Sequence, residues 1–224
     1  MSLAKRAAAE GIGTAFLVAA VVGSGIMGER LSDANPAITL LANSLATGGA
    51  LVALILAFGP ISGAHFNPVV SLVVRMRREL ADGETLAYVA MQVVGGLAGV
   101  VAAHLMFGEP MFSQSLHARA GTAQLFSECI ATFGLIAVVF GCSRTRPVAM
   151  PYAVAAYITS AYWFTGSTSF ANPAVTLARS LTDSFSGIRP YDVVPFVAAQ
   201  VIGGLLAAKT FGWFQHSSSI TPKT

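Results

Sequence analysis

Charge is scarce in this chain. Asp, Glu, Lys and Arg make up 10% of its 224 residues, against about 25% in an ordinary soluble domain. That scarcity excludes a globular protein with a conventional charged surface. Cysteine is rare too. Cys129 and Cys142 fall in one expected helix. A separation of thirteen residues along a helix is roughly 20 Å, so the two cannot pair and read as buried core thiols. No Ser/His or Cys/His arrangement appears, and His65, His104, His117 and His216 follow no metal-ligand spacing. The chain is therefore not expected to be an enzyme, and neither a cofactor nor a metal is expected. A short basic start (Lys5, Arg6) precedes an apolar run, but no small-residue cleavage site follows it, so no cleavable signal peptide is expected.

What the chain has in abundance is apolar surface. It is 54% hydrophobic before its 22 Gly are counted, and its mean hydropathy is +0.68. An integral membrane protein follows. The net charge of +3 comes from a small surplus of Lys and Arg in loops, which reads as membrane topology rather than nucleic-acid binding.

The rare charges mark span boundaries. Spans are expected over Gly11–Gly28, Pro36–Phe58, Thr85–Gly108, Ala120–Ser143, Pro147 to about Phe164, and Val193–Phe214, where Lys209 snorkels to the interface. Two uncharged runs, Ala34–Val74 and Pro147–Ala178, are too long for the one helix each contains. Each goes on to an Asn-Pro dipeptide: Asn67-Pro68-Val69 and Asn172-Pro173-Ala174. Asn is a favoured helix N-cap and Pro a favoured first residue. Short helices over 68–77 and 173–182 would each be about 15 Å long, half of a 30 Å hydrocarbon core. Two such half-helices entering from opposite faces meet near the midplane. The expected fold is an all-α membrane protein of six transmembrane helices plus two re-entrant half-helices.

The two halves of the chain echo each other. Glu10-Gly-Ile-Gly-Thr14 matches Glu128-Cys-Ile-Ala-Thr132, and Gln92-Val-Val-Gly-Gly96 matches Gln200-Val-Ile-Gly-Gly204, with the Asn-Pro motifs between them in register. Residues 1–115 and 116–224 read as two repeats. Three spans is an odd number, so the second repeat is inverted relative to the first. With both termini in the cytoplasm, inner segments hold Lys5, Arg6, Arg75, Arg77, Arg78, Arg144, Arg146, Lys209 and Lys223, and outer ones Arg30, Arg119, Arg179 and Arg189. That asymmetry supports cytoplasmic termini in a multi-pass protein of the cell (inner) membrane. The tail after His216 reads as disordered.

Unwound backbone inside a bilayer is tolerated where it lines a watery cavity. The carbonyls of Gly63, Ala64, His65 and Phe66, and of Thr168, Ser169, Phe170 and Ala171, form a ladder of acceptors. Asn67 and Asn172 supply donors where they end. Both half-helices aim the positive ends of their dipoles at that point. A neutral hydroxylated solute exchanges water for these partners, whereas a cation meets positive potential.

These motifs together resemble the aquaporin family of major intrinsic proteins, over about residues 5–214. Val69 departs from the usual Asn-Pro-Ala. The resemblance implies one pore per chain, a homotetramer in the lipid bilayer, and a second constriction beside the Asn pair. Its four positions map to Thr47, Ser160 (or Ala161, if the count slips by one), Ser169 and Val175. Val175 stands where the family nearly always has Arg. Small uncharged residues at all four imply a filter wider and less positive than usual. The resemblance then implies a passive channel for small neutral solutes: glycerol-like polyols, neutral metalloid acids such as arsenous or antimonous acid, and water. Val for Arg resembles a bacterial subgroup associated with arsenic handling.

Other readings stand beside this one. A water-selective aquaporin is the nearest. A proton-coupled secondary transporter also uses inverted repeats and broken helices, with Glu10 and Glu128 as its only carriers. An intramembrane enzyme ranks last. The place of Glu10 and Glu128, four residues before a Thr in each repeat, favours braces for the re-entrant loops; Gln92 and Gln200 read as packing partners. His65 reads as a loop brace. Arg179, one turn beyond Val175, reads either as a replacement charge at the outer mouth or as a solvated surface residue.

Overall fold

The computed structural model describes residues 1–33 and 35–216. Lys223 and the tail expected to be disordered lie outside them. Eight α-helices run in order: α1 (Leu3–Leu31), α2 (Pro36–Ser62), α3 (Pro68–Met76), α4 (Asp82–Phe107), α5 (Thr122–Thr145), α6 (Met150–Phe164), α7 (Pro173–Arg179) and α8 (Pro190–His216). No strand occurs among the described residues. Among the described residues five helices (α1, α2, α4, α5 and α8) are long and apolar enough to cross a membrane. α6 has only 15 residues, about 22 Å at 1.5 Å per residue, and a single 3₁₀ turn (Pro147–Ala149) leads into it.

Some boundaries differ from the sequence reading. α2 continues past Phe58 to Ser62, carrying Pro60 inside it, and ends on Gly63 in the left-handed conformation. α7 stops at Arg179 rather than Thr182. There the Ser180 and Leu181 amides bond back to Leu177 and Ala178, a tightening that closes the last turn. The two cysteines are free and half-buried on α5, not enclosed in the core.

α1 packs on α4 and α2, and α5 on α8 and α6, while α2 meets α6. Small residues permit the closest contacts. A Cβ on Gly95 would stand 2.1 Å from the Gly11 oxygen. A Cβ on Gly204 would stand 2.3 Å from Cγ1 of Val69, so α8 of the second repeat closes on the half-helix of the first. Tight backbone approach through Gly is how helices associate where lipid offers no hydrophobic drive.

One end of the bundle carries the start of α1, the end of α3 and the start of α4, tied by an Arg6–Glu84 ion pair. The opposite, far end carries the α4–α5 loop, the segment after α7 and an Arg30–Glu109 pair at 2.7 Å.

Candidate functional site: the channel between the half-helices

The two Asn-Pro stretches are built alike, atom by atom. Asn67 and Asn172 have extended backbones and cap α3 and α7 with Pro as the first helical residue. Asn67 Oδ1 accepts from the Val69 amide at 2.9 Å. Asn172 Oδ1 accepts from the Ala174 and Val175 amides at 3.0 and 3.3 Å. Each side-chain amide then reaches across to the other loop. Asn67 Nδ2 donates to the Ala171 carbonyl at 2.7 Å, and Asn172 Nδ2 donates to the Phe66 carbonyl at 2.8 Å. The last carbonyl of each ladder is thus engaged by the opposite Asn. An amide nitrogen carries two hydrogens, so each keeps one donor for the channel.

The approach to each Asn is strained in matching places. Gly63, Ala64 and Phe66 have φ of 91°, 50° and 49°, and Thr168, Ser169 and Ala171 have 61°, 51° and 47°. A non-Gly residue held there costs on the order of 1–3 kcal/mol and persists only where its surroundings over-determine it. Here a buried carboxylate does so. Glu10 accepts from the His65 and Phe66 amides at 2.9 and 2.7 Å and from the Ser62 hydroxyl at 2.6 Å. Glu128 accepts from the Phe170 and Ala171 amides, both at 2.9 Å. Gln92 Nε2 donates to Glu10 and to Ser71 Oγ at 2.8 and 3.0 Å. Gln200 Nε2 donates to Glu128 and Thr176 Oγ1 at 2.6 and 2.8 Å. His65 Nδ1 meets Ser71 Oγ at 3.0 Å.

Along the two Asn-Pro loops lies a cavity of about 230 Å³, room for several waters at ~30 Å³ each. Its wall has a polar stripe and an apolar remainder. The stripe is Gly63–Asn67 and Ser169–Asn172; the remainder includes Leu17, Val21, Leu51, Ile55, Leu135, Val139, Val154 and Ile158. Thr168 is not part of the wall; its hydroxyl accepts from Arg119 at 3.3 Å.

Of the four filter positions, Thr47, Ser169 and Val175 line the cavity and Ser160 does not. The channel face of α6 runs Val154, Ile158, Tyr162 at helical spacing. Ser160 sits between these positions, is exposed and donates to the Ala156 carbonyl of its own helix. The alternative, Ala161, is buried but also off the wall. The residue opposite Thr47 is Tyr162, with hydroxyl oxygens 3.2 Å apart. Nor is the region uncharged. Arg179 is 2% exposed and lines the cavity, its guanidinium carbon 3.4 Å from the Phe170 ring centroid. Arg119 stands 4.9 Å from the same centroid and donates to the Gly187 carbonyl at 2.8 Å and to the Ser167 and Phe185 carbonyls, both at 3.2 Å. Burial pushes its pKa down to about 10, so it stays positive at neutral pH. Tyr162 was findable from the i, i+4 run on α6. Nothing in the sequence singled out Arg119.

Residues 1–156 match the family profile of the major intrinsic proteins. The chain belongs to that family. Members are membrane channels, not enzymes. It is 51% identical to the aquaglyceroporin AqpS of Rhizobium meliloti over 94% of this chain and 90% of that protein. It is 29% identical to the aquaporin AqpM of Methanothermobacter thermautotrophicus, over 94% and 97% of the two chains. In fold it matches the crystal structure of the aquaglyceroporin from Plasmodium falciparum with a TM-score of 0.71. That match covers 99% and 98% of the two chains at 20% identity.

Proposed function

We propose that this protein is a passive channel for small uncharged solutes: water, glycerol-like polyols and neutral trivalent metalloid acids. The observation that carries the reading is the reciprocal bonding of Asn67 to Ala171 and Asn172 to Phe66. It sets two helix N-termini nose to nose in the channel, with a donor left over on each Asn. The positive ends of two helix dipoles oppose cations there, while hydroxylated solutes trade water for carbonyls and amides. The likeness to an aquaglyceroporin over nearly the whole chain supports the polyol part. Val175 in the wall, where the family places Arg, supports passage of the bulkier metalloid acids. The excess of Lys and Arg at the end bearing the N-terminus supports insertion in the cell membrane with both termini cytoplasmic. The family likeness supports a homotetramer with one pore per chain.

Water as the main permeant is the second reading, and the Tyr162 ring favours it by narrowing the channel opposite Thr47. Solute-resolved swelling of proteoliposomes separates the two. Glycerol and arsenous acid should enter faster than into empty vesicles, without saturation and without regard to a proton gradient. Fast water with no glycerol or arsenite entry would select the second reading. Saturable flux driven by a proton gradient would replace both with a transporter.

A further inference from the structure

The family's filter cation is absent from its usual place, but a cation is not absent from the channel. Arg179 is the last residue of α7, one helical turn beyond Val175. Its Nε donates to the Ser186 carbonyl, and its flat face rests on Phe170 at 3.4 Å. Its terminal nitrogens have no hydrogen-bond partner among the described residues, although the side chain is buried and forms part of the cavity wall. Ser169 Oγ, on the same wall, is also buried and unpartnered. Arg119, on the same ring, differs: its donors are engaged by backbone carbonyls of the loops. Neither guanidinium has a carboxylate partner among the described ion pairs. Two positive charges without a direct ion-pair partner therefore share one aromatic ring at the far end of the channel. One of them has its donor fork open to the pore.

Resting on the channel reading above, we infer that Arg179 is a specificity-determining residue of this channel. Its open guanidinium edge, with Ser169 Oγ, receives the oxygens of a passing hydroxylated solute, and its fixed charge turns back protons and cations. The charged position is displaced one turn outward, about 5.4 Å along α7, leaving the Val175 position itself apolar. Three features support the displacement. Guanidinium is planar, permanently charged and suited to stacking on an aromatic face, so Phe170 is a fitting seat for it. The Ser186 bond fixes its orientation. A buried cation with no carboxylate in contact raises the local potential far more than one in water, so a permeating cation meets a barrier before it reaches the Asn pair.

The test uses the full chain in proteoliposomes. Water and glycerol swelling is measured beside proton leak, the latter from an entrapped pH dye with the potential clamped by valinomycin and potassium. For Arg179→Gln, proton leak should rise about tenfold or more, a barrier loss of ~1.4 kcal/mol, while water flux persists. Wild-type leak with persisting water flux would overturn the inference. Arg179→Lys keeps the charge but not the fork, so it should hold the proton barrier and lower the glycerol-to-water flux ratio. If Arg179→Gln does not insert, this second variant decides, and an unchanged ratio would sink the proposal. Failure of the wild-type protein to conduct glycerol or water would instead count against the channel reading itself.

Discussion

Gly203 of α8 lies so close to Cys129 of α5 that a Cβ on the glycine would stand 2.2 Å from the cysteine's carbonyl oxygen. Gly95 and Gly11 repeat the relationship between α4 and α1 at 2.1 Å. No side chain fits in either place without the helices parting. These contacts set the spacing of the helices that carry the Glu and Gln braces.

Gly203→Ala and Gly95→Ala should therefore each destabilise the protein by about 1–3 kcal/mol, the usual cost of overpacking a filled contact. Gly49→Ala is the control, since nothing lies within 4 Å of the site of its Cβ. It should be neutral or stabilising by up to ~1 kcal/mol, because Ala is the better helix former. Thermal unfolding in detergent measures all three. A Gly203→Ala protein as stable as the wild type would contradict the close approach.

Glu128 is the acceptor that holds the second pore loop in its strained form. Glu128→Ala leaves the Phe170 and Ala171 amides without their acceptor, at about 1–3 kcal/mol for each orphaned group. It also leaves Gln200 without its shorter bond. The expected outcome is a lower unfolding temperature together with loss of water permeability, as the loop leaves its positive-φ conformation. Glu128→Gln keeps one acceptor oxygen and should fall between the two. Glu10→Ala should behave likewise through His65 and Phe66. Normal flux in Glu128→Ala would mean that other contacts shape the loop.

The architecture was legible in the sequence because its signals are local or repeated. Charge gaps bound the spans, and Asn-Pro marks a helix start wherever it falls. The echo of Glu10 in Glu128 and of Gln92 in Gln200 pointed to matching braces, and each Glu does accept from a pore loop. The filter was legible only in part. Ser169 and Val175 lie beside the Asn172 cap, and the count back from Asn67 to Thr47 crosses only a short loop before α2 ends at Ser62. Ser160 was placed by counting back through loop 165–172, which has no regular repeat, and a small error in such a count turns a helical residue to another face. Arg179 was ambiguous because burial of a charge depends on what covers it. Here the cover is Phe170 and the Ser186 carbonyl, and both lie off the helix that carries Arg179.

Arg119 links the α4–α5 loop to the pore loop through the Ser167 carbonyl and to the segment after α7 through the carbonyls of Phe185 and Gly187. Arg119→Ala should lower the unfolding temperature in detergent, since two buried carbonyls and a part-buried one lose a charged donor, a bond type that contributes about 1.5–3 kcal/mol. Arg119→Lys should recover only part of this, because an ammonium cannot span carbonyls on separate segments as a planar fork does. Full recovery by Lys would show that charge alone matters at this position.

Tyr162 and Ser160 are two residues apart on α6 and face opposite ways, so they separate the observed channel wall from the one expected by counting. Tyr162→Ala removes the ring that stands 3.2 Å from Thr47 through its hydroxyl and opens the channel on that side. Entry of polyols longer than glycerol should increase severalfold, with the glycerol-to-water ratio rising as well. Tyr162→Phe keeps the ring and loses only the hydroxyl contact, so its size cut-off should stay that of the wild type. Ser160→Ala should leave every flux unchanged, because its hydroxyl bonds to Ala156 of its own helix outside the cavity. Stopped-flow swelling across a series of polyols of increasing length reads all three variants. A size cut-off that moves with Ser160 and not with Tyr162 would reverse the assignment of the channel face of α6.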